Sequence, residues 1–218
     1  MIRGVLFDFS GTLFHFEPEI DGQPLDRARL IETLTSPTTP SEFLPAELSE
    51  AWEQRDLDPE VHRMVYLATL RAAHPDVSAE TLESIYELVL QPKWWMPYPD
   101  TMAALRALRD AEIPVGVVSN IPWDVRGVFE RAGADEYVDE YLLSYVEGVM
   151  KPDPKIFLTA CQRIGVAPGD TLMIGDSPEA DGGAMAIGCR FALVARIPPA
   201  ERPSALLDAL TTHRTILR

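Results

Sequence analysis

The chain has 218 residues, 19 basic against 34 acidic side chains, a net charge of −15 and 46% hydrophobic residues. That composition supports a folded core, and without a cluster of Lys and Arg it offers no electrostatic footprint for nucleic acid or an anionic membrane. No run approaches the roughly 20 apolar residues of a membrane helix, Asp8 interrupts the apolar start at once, and the only cysteines are Cys161 and Cys189; a cytoplasmic chain without signal peptide, anchor or disulfide framework is expected.

In chain order, an apolar run at residues 2–9 predicts a first strand. The next stretch, 15–98, carries 16 acidic and 6 basic side chains and no convincing strand. Helices are expected there at residues 26–34, 45–54, 59–73 and 79–90. Asp58-Pro59-Glu60 starts one of them with a capping acid and a first-position proline, and Ser78 can cap the last. Val61, Met64, Val65, Ala68 and Ala72 form one apolar stripe, and Leu82, Ile85, Tyr86 and Val89 another. Stripes of this kind face each other in a small helical bundle. The proline-rich segments 36–45 and 92–99 read as loops, with Trp94-Trp95 packing a return linker on the core.

From residue 101 onward the pattern alternates. Helical periodicity at 101–111, 123–132, 154–164, 178–187 and 204–212 is interleaved with strand-like runs at 115–119, 141–145, 171–174 and 191–194. Gly133, Gly165 and Gly188 sit where left-handed helix stops belong. The expected fold is α/β, a Rossmann-like parallel sheet core with helices on both faces and an inserted α-helical unit. The boundaries would be 1–14 and 97–218 for the core and 15–96 for the insertion. In such sheets ligands bind beyond the carboxyl ends of the strands.

Several residues at those ends can carry chemistry. Asp8 follows the first strand and opens a Ser10-Gly11-Thr12 turn; its carboxylate can be a nucleophile, a metal ligand or simply a turn-starting acid. Asp176 and Asp181 follow the strand at 171–174, although Asp181 alone is also a favourable acid for a first helical turn. Three carboxylates converging there would repel each other unless a hard cation sat among them, and oxygen-only ligands suit Mg²⁺. Ser119-Asn120 and Lys151 could hold phosphoryl oxygens. Each has an ordinary reading as a turn or a surface charge when taken singly. His62 and His74 have no partners at metal-ligand spacing and read as structural or surface residues. Trp123, just after Ser119-Asn120, is the better candidate for a site rim.

Together, Asp8-Phe9-Ser10-Gly11-Thr12-Leu13, Ser119-Asn120, Lys151-Pro152 and Gly175-Asp176 with Asp181 stand in the order of the four motifs of the haloacid dehalogenase superfamily, which the chain resembles. The resemblance implies that Asp8 attacks phosphorus and forms an aspartyl-phosphate, that Mg²⁺ is held by Asp8, the Ser10 carbonyl, Asp176 and Asp181, and that Ser119, Asn120, Thr12 and Lys151 serve the phosphoryl group. The insertion would be the family's helical cap, and the partner a small phosphorylated metabolite. The family's phosphatases carry a second Asp two residues after the nucleophile as general acid and base, and here that position is Ser10. Losing such a catalyst typically costs about 10²- to 10⁴-fold in rate. His15, Glu17 and Asp124 are the residues close to the motifs that could substitute. Two alternatives stay open: an attenuated phosphate- or metabolite-binding protein, and a hydrolytic 2-haloacid dehalogenase. A Schiff-base route through a cap lysine is disfavoured, since residues 1–92 contain no lysine and Lys93 lies in the return linker. Oligomeric state and the natural substrate are not legible.

Overall fold

The computed structural model describes residues 2–18, 43–213 and 215; the helix expected at 26–34, most of the 36–45 loop, Arg27 and Arg29 lie outside them. Five parallel strands form the core sheet: β1 (Gly4–Phe7), β4 (Val115–Ser119), β5 (Glu140–Leu143), β6 (Thr171–Gly175) and β7 (Arg190–Leu193). Their order is β5-β4-β1-β6-β7, so β1 pairs with β4 on one side and with β6 on the other. The chain therefore runs out to one edge and then restarts on the far side of β1, which places a crevice at the carboxyl ends of β4, β1 and β6.

Alternation along the strands separates two apolar layers. Val5, Phe7, Val117, Leu172 and Ile174 belong to one, together with residues of α4 (Thr101–Asp110), α5 (Arg126–Ala132) and α8 (Ala205–Thr212). Leu6, Val118, Leu142 and Met173 belong to the other, under α7 (Pro154–Arg163). Helices on both faces bury the sheet and leave its carboxyl edge as the place for polar chemistry. The glycine stops at Gly133, Gly165 and Gly188 all have positive φ. Cys161 and Cys189 are free and buried, with sulfurs 3.8 Å apart.

Two expectations are corrected here. A short antiparallel ribbon, β2 (Phe14–Phe16) and β3 (Trp95–Pro97), lies at the base of the stretch expected to have no strand. Each strand is three residues long and its partner lies some eighty residues away, so no local pattern could announce it. Trp95 is buried in it, its ring tilted against Phe9 with centroids 4.7 Å apart. The segment 178–187, expected as an α-helix, is a turn followed by a 3-10 helix over Asp181–Ile187. Gly183 has Pro152 pressed against it, 2.7 Å from where a Cβ would be, and the Asp181 carboxylate accepts the Ser177 N–H at 2.9 Å. Those contacts hold the backbone in the tighter turn.

Between the ribbon strands, the described residues form α1 (Ser49–Gln54), a 3-10 turn over Arg55–Leu57, α2 (Pro59–Ala73) and α3 (Ala79–Val89). The α3 stripe Leu82, Ile85, Tyr86, Val89 is buried as expected. The α2 stripe is rotated: Met64 and Ala72 are exposed, while His62, Val65, Tyr66, Leu67, Thr69 and Leu70 are buried. Hydropathy alone passes over a face that contains His, Tyr and Thr. Among the described residues, no helix is long and apolar enough to cross a membrane. The Asp58 carboxylate accepts the N–H groups of Glu60 and Val61, so Asp58→Ala is expected to lower stability by about 1 kcal/mol, read as a lower urea midpoint with an unchanged slope.

Candidate active site at the carboxyl edge of the sheet

β1 delivers Asp8, β4 delivers Ser119 and β6 delivers Asp176, because three neighbouring parallel strands end side by side. Asp8, Ser10, Ser119, Asn120, Lys151, Asp176 and Asp181 line one cavity. Each of Asp8, Asp176 and Asp181 offers a carboxylate oxygen within 4.8 Å of the others. Two glycines make that approach possible. A Cβ on Gly175 would stand 2.1 Å from an Asp181 oxygen, and one on Gly11, whose φ is +85°, would stand 2.3 Å from an Asp176 oxygen.

Lys151 is buried and donates to both Asp8 and Asp181 at 2.6 Å. Burial works against its charge, but Asp181 and Asp8 outweigh that and raise its pKa above the ordinary value. Burial pushes Asp8 up to about 7, opposed by Lys151 and reinforced by Asp181 and Asp176. Asp176 is pushed up to about 6, again chiefly by burial, with Arg196 opposing. Shifts of this sign mean that burial disfavours the ionised carboxylates more than Lys151 and Arg196 favour them. One Asp176 oxygen, Oδ2, is buried without a hydrogen-bond partner. Arg196 lies 3.7 Å from that oxygen, and three carboxylates against the one buried ammonium of Lys151 offer an oxygen ligand set that fits a hard divalent cation.

The remaining expected residues fall into different places. Both ends of the Asn120 amide are engaged with the backbone of Lys151, at 2.8 and 2.7 Å, so this side chain positions the Lys151 loop. Thr12 is wholly buried and is not among the cavity-lining residues; its carbonyl accepts from Arg202 at 2.5 Å. Arg202 also holds the Gly11 carbonyl at 2.7 Å and stacks on Tyr98 at 3.7 Å. This clamp on the Asp8 loop comes from near the carboxyl end of the sequence, where nothing local marks it. The Ser10 hydroxyl has Arg196 as a distant partner at 3.4 Å. Trp123 lines the cavity as expected.

His15, Glu17 and Asp124 do not line the cavity. His15 pairs with Glu17 at 3.7 Å, and Asp124 receives the Arg126 N–H at the start of α5. His62, expected as a structural or surface residue, is buried and lines the cavity together with Arg55, Asp56, Tyr66 and Trp95. His62, Tyr66 and Thr69 recur at helical spacing on α2, which is the one signal that could have shown a polar buried face. Asp56 has no such signal, since Arg55-Asp56-Leu57 reads as a charged helix flank.

Residues 2–187 match the family model of haloacid dehalogenase-like hydrolases. The chain belongs to that family. Mouse haloacid dehalogenase-like hydrolase domain-containing protein 3 is 33% identical over 150 residues, 67% of this chain and 59% of the relative, so the chain spans less than two thirds of that protein's length. Glyceraldehyde 3-phosphate phosphatase of Methanopyrus kandleri is 27% identical over 187 residues, 83% of this chain and 78% of the relative. The L-2-haloacid dehalogenase of Xanthobacter autotrophicus with chloropropionic acid covalently bound superposes with a TM-score of 0.69 at 23% identity, over 100% of this chain and 85% of that one, a likeness of fold.

Gly11→Ala is expected to weaken divalent-cation binding by tenfold or more, on the scale of about 10- to 100-fold for disturbed ligand orientation, and to cost about 1–2 kcal/mol through its left-handed φ. Calorimetric titration with magnesium and urea unfolding would show both.

Proposed function

We propose that this chain is a magnesium-dependent phosphatase of small phosphorylated metabolites that works through an aspartyl-phosphate on Asp8. The observation that carries the reading is the meeting of Asp8, Asp176 and Asp181 with Lys151 and Ser119 in one buried cavity. The carboxylates of Asp8, Asp176 and Asp181, with the Ser10 carbonyl, would hold the ion. Magnesium there would offset the carboxylate charge and polarise the phosphoryl oxygens.

Asp8 is the nucleophile because it ends the central strand and its loop is tied down by Arg202 and by Thr101, whose hydroxyl donates to the Leu13 carbonyl at 2.7 Å. Lys151 and the Ser119 hydroxyl hold the transferring oxygens, and Lys151 orients Asp8 and favours its ionised form against burial. The helical insertion, residues 15–96, serves as a cap over the core of 1–14 and 97–218. Its described wall, with His62, Tyr66 and Trp95 facing Trp123 and Ile121 of the core, leaves room for a small organic group and excludes water from the reacting atoms. Glyceraldehyde 3-phosphate phosphatase, one of the relatives, has a small phosphorylated metabolite in its name, in line with a substrate of that class.

The test is phosphate release from acetyl phosphate and para-nitrophenyl phosphate, with and without magnesium, by wild type and Asp8→Asn. Turnover should require the ion and fall by about 10³-fold or more in the folded variant. Metal-independent halide release from 2-chloropropionate would overturn the reading in favour of a dehalogenase. Phosphate binding without any turnover would favour the attenuated binding protein that Ser10 suggests.

A further inference from the structure

Phosphate ester hydrolysis needs a proton for the leaving oxygen and a base for the water, and the position two residues after Asp8 is a serine. The candidates near the motifs are engaged elsewhere, since His15 and Glu17 pair with each other and Asp124 receives the Arg126 N–H at the start of α5. Outside the Asp8–Asp176–Asp181 cluster, the carboxyl group among the described cavity-lining residues is that of Asp56. We propose that Asp56, carried by the helical insertion, is the acid–base catalyst that Ser10 does not supply. This rests on the phosphatase reading above.

Asp56 is buried, 5% exposed, on the cavity wall contributed by the insertion. Its place is set from the core: the Ser144 hydroxyl donates to the Asp56 carbonyl and receives the Ile121 N–H at 2.9 Å. One hydroxyl thus ties the Asp56 turn to the loop that follows Ser119. The groups around the carboxylate are Arg55 at 3.4 Å on its own turn, His62 at 4.0 Å and Tyr66 on α2, and Lys151 from the core. Burial raises its pKa to about 6, against the pull of Arg55 and Lys151, so both forms are populated near neutral pH, as a group that must give and take a proton requires.

The neighbours are poorer proton carriers. His62 is held well below its ordinary pKa by burial and Arg55, and its Nδ1 is engaged with the Tyr86 hydroxyl at 2.8 Å. Burial raises Tyr66 above the ordinary phenol value. Lys151 is held in its charged form between two carboxylates.

The balance is simple. Asp8 bonds to phosphorus as the phosphorus–oxygen bond to the leaving group breaks, and the Asp56 proton passes to that oxygen, releasing an alcohol. Water then attacks phosphorus, the Asp8–phosphorus bond breaks, and Asp56 takes the water proton. Phosphate leaves with Asp8 ionised and Asp56 protonated again.

Ethyl phosphate, which needs the acid, and acetyl phosphate, which does not, separate this role from a structural one. Asp56→Asn should lower kcat/KM on ethyl phosphate by about 10²- to 10⁴-fold and on acetyl phosphate by about tenfold or less, and Ser10→Asp in the Asp56→Asn background should restore most of the ethyl phosphate loss. In the wild type the ethyl-to-acetyl ratio of kcat/KM should fall as pH rises through about 6, because the acid form of Asp56 disappears there; in Asp56→Asn the ratio should be flat. Equal losses on both substrates, no loss on ethyl phosphate, or wild-type turnover of acetyl phosphate alone would overturn the role of Asp56 while Asp8→Asn still confirmed the hydrolase. No wild-type turnover of either compound would overturn the phosphatase reading itself, and this role with it.

Discussion

Three carboxylates that share one buried pocket must be supplied with positive charge, and the rest of the site follows from that requirement. Asp8, Asp176 and Asp181 approach within 4.8 Å, and an uncompensated buried charge is among the most destabilising features a core can carry. Lys151 bridges two of them at 2.6 Å, and Asp8 and Asp176 are nonetheless pushed upward, chiefly by burial and further by the neighbouring acids. The architecture serves this arrangement at several levels. Adjacent strand ends bring the acids together, Gly11 and Gly175 remove the side chains that would hold them apart, Asn120 fixes the Lys151 backbone, and Arg202 fixes the Asp8 loop. Acids held together in this way offer oxygen ligands that suit a hard cation.

What the sequence shows and what it hides divide along physical lines. The core strands were legible because parallel strands buried on both faces are continuous apolar runs, and their ends erred by a residue or two where side chains no longer distinguish strand from turn: the run at 2–9 is ordered as Gly4–Phe7. Helix α2 was legible from Asp58-Pro59 and α3 from its stripe, because caps and periodicity are local. Asp8, Ser119, Lys151, Asp176 and Asp181 were legible as a set through the order of their motifs, and each lies in the cavity.

The features that escaped depend on contacts remote in sequence. The β2–β3 ribbon pairs Phe16 with Trp95, and the Arg202 clamp reaches back almost the whole chain to Gly11. The insertion's contribution escaped for a different reason. His62, Tyr66 and Asp56 are polar residues buried by docking against the core, and a rule that sorts polar residues outward removes from view the ones a cavity needs.

The two walls of that cavity are unlike, and each depends on the other. The core wall carries three carboxylates and Lys151; the insertion wall sets Arg55 and Asp56 among aromatic rings, with His62 stacked on Tyr66 at 4.1 Å and edge-on to Trp123. Burial is the largest cause of the Asp56 shift and of the His62 shift, and it is a property of neither wall alone. The Ser144 hydroxyl joins the Asp56 carbonyl to the Ile121 N–H, so it holds the Asp56 turn against the loop that follows Ser119, and with it the burial that raises the Asp56 pKa to about 6.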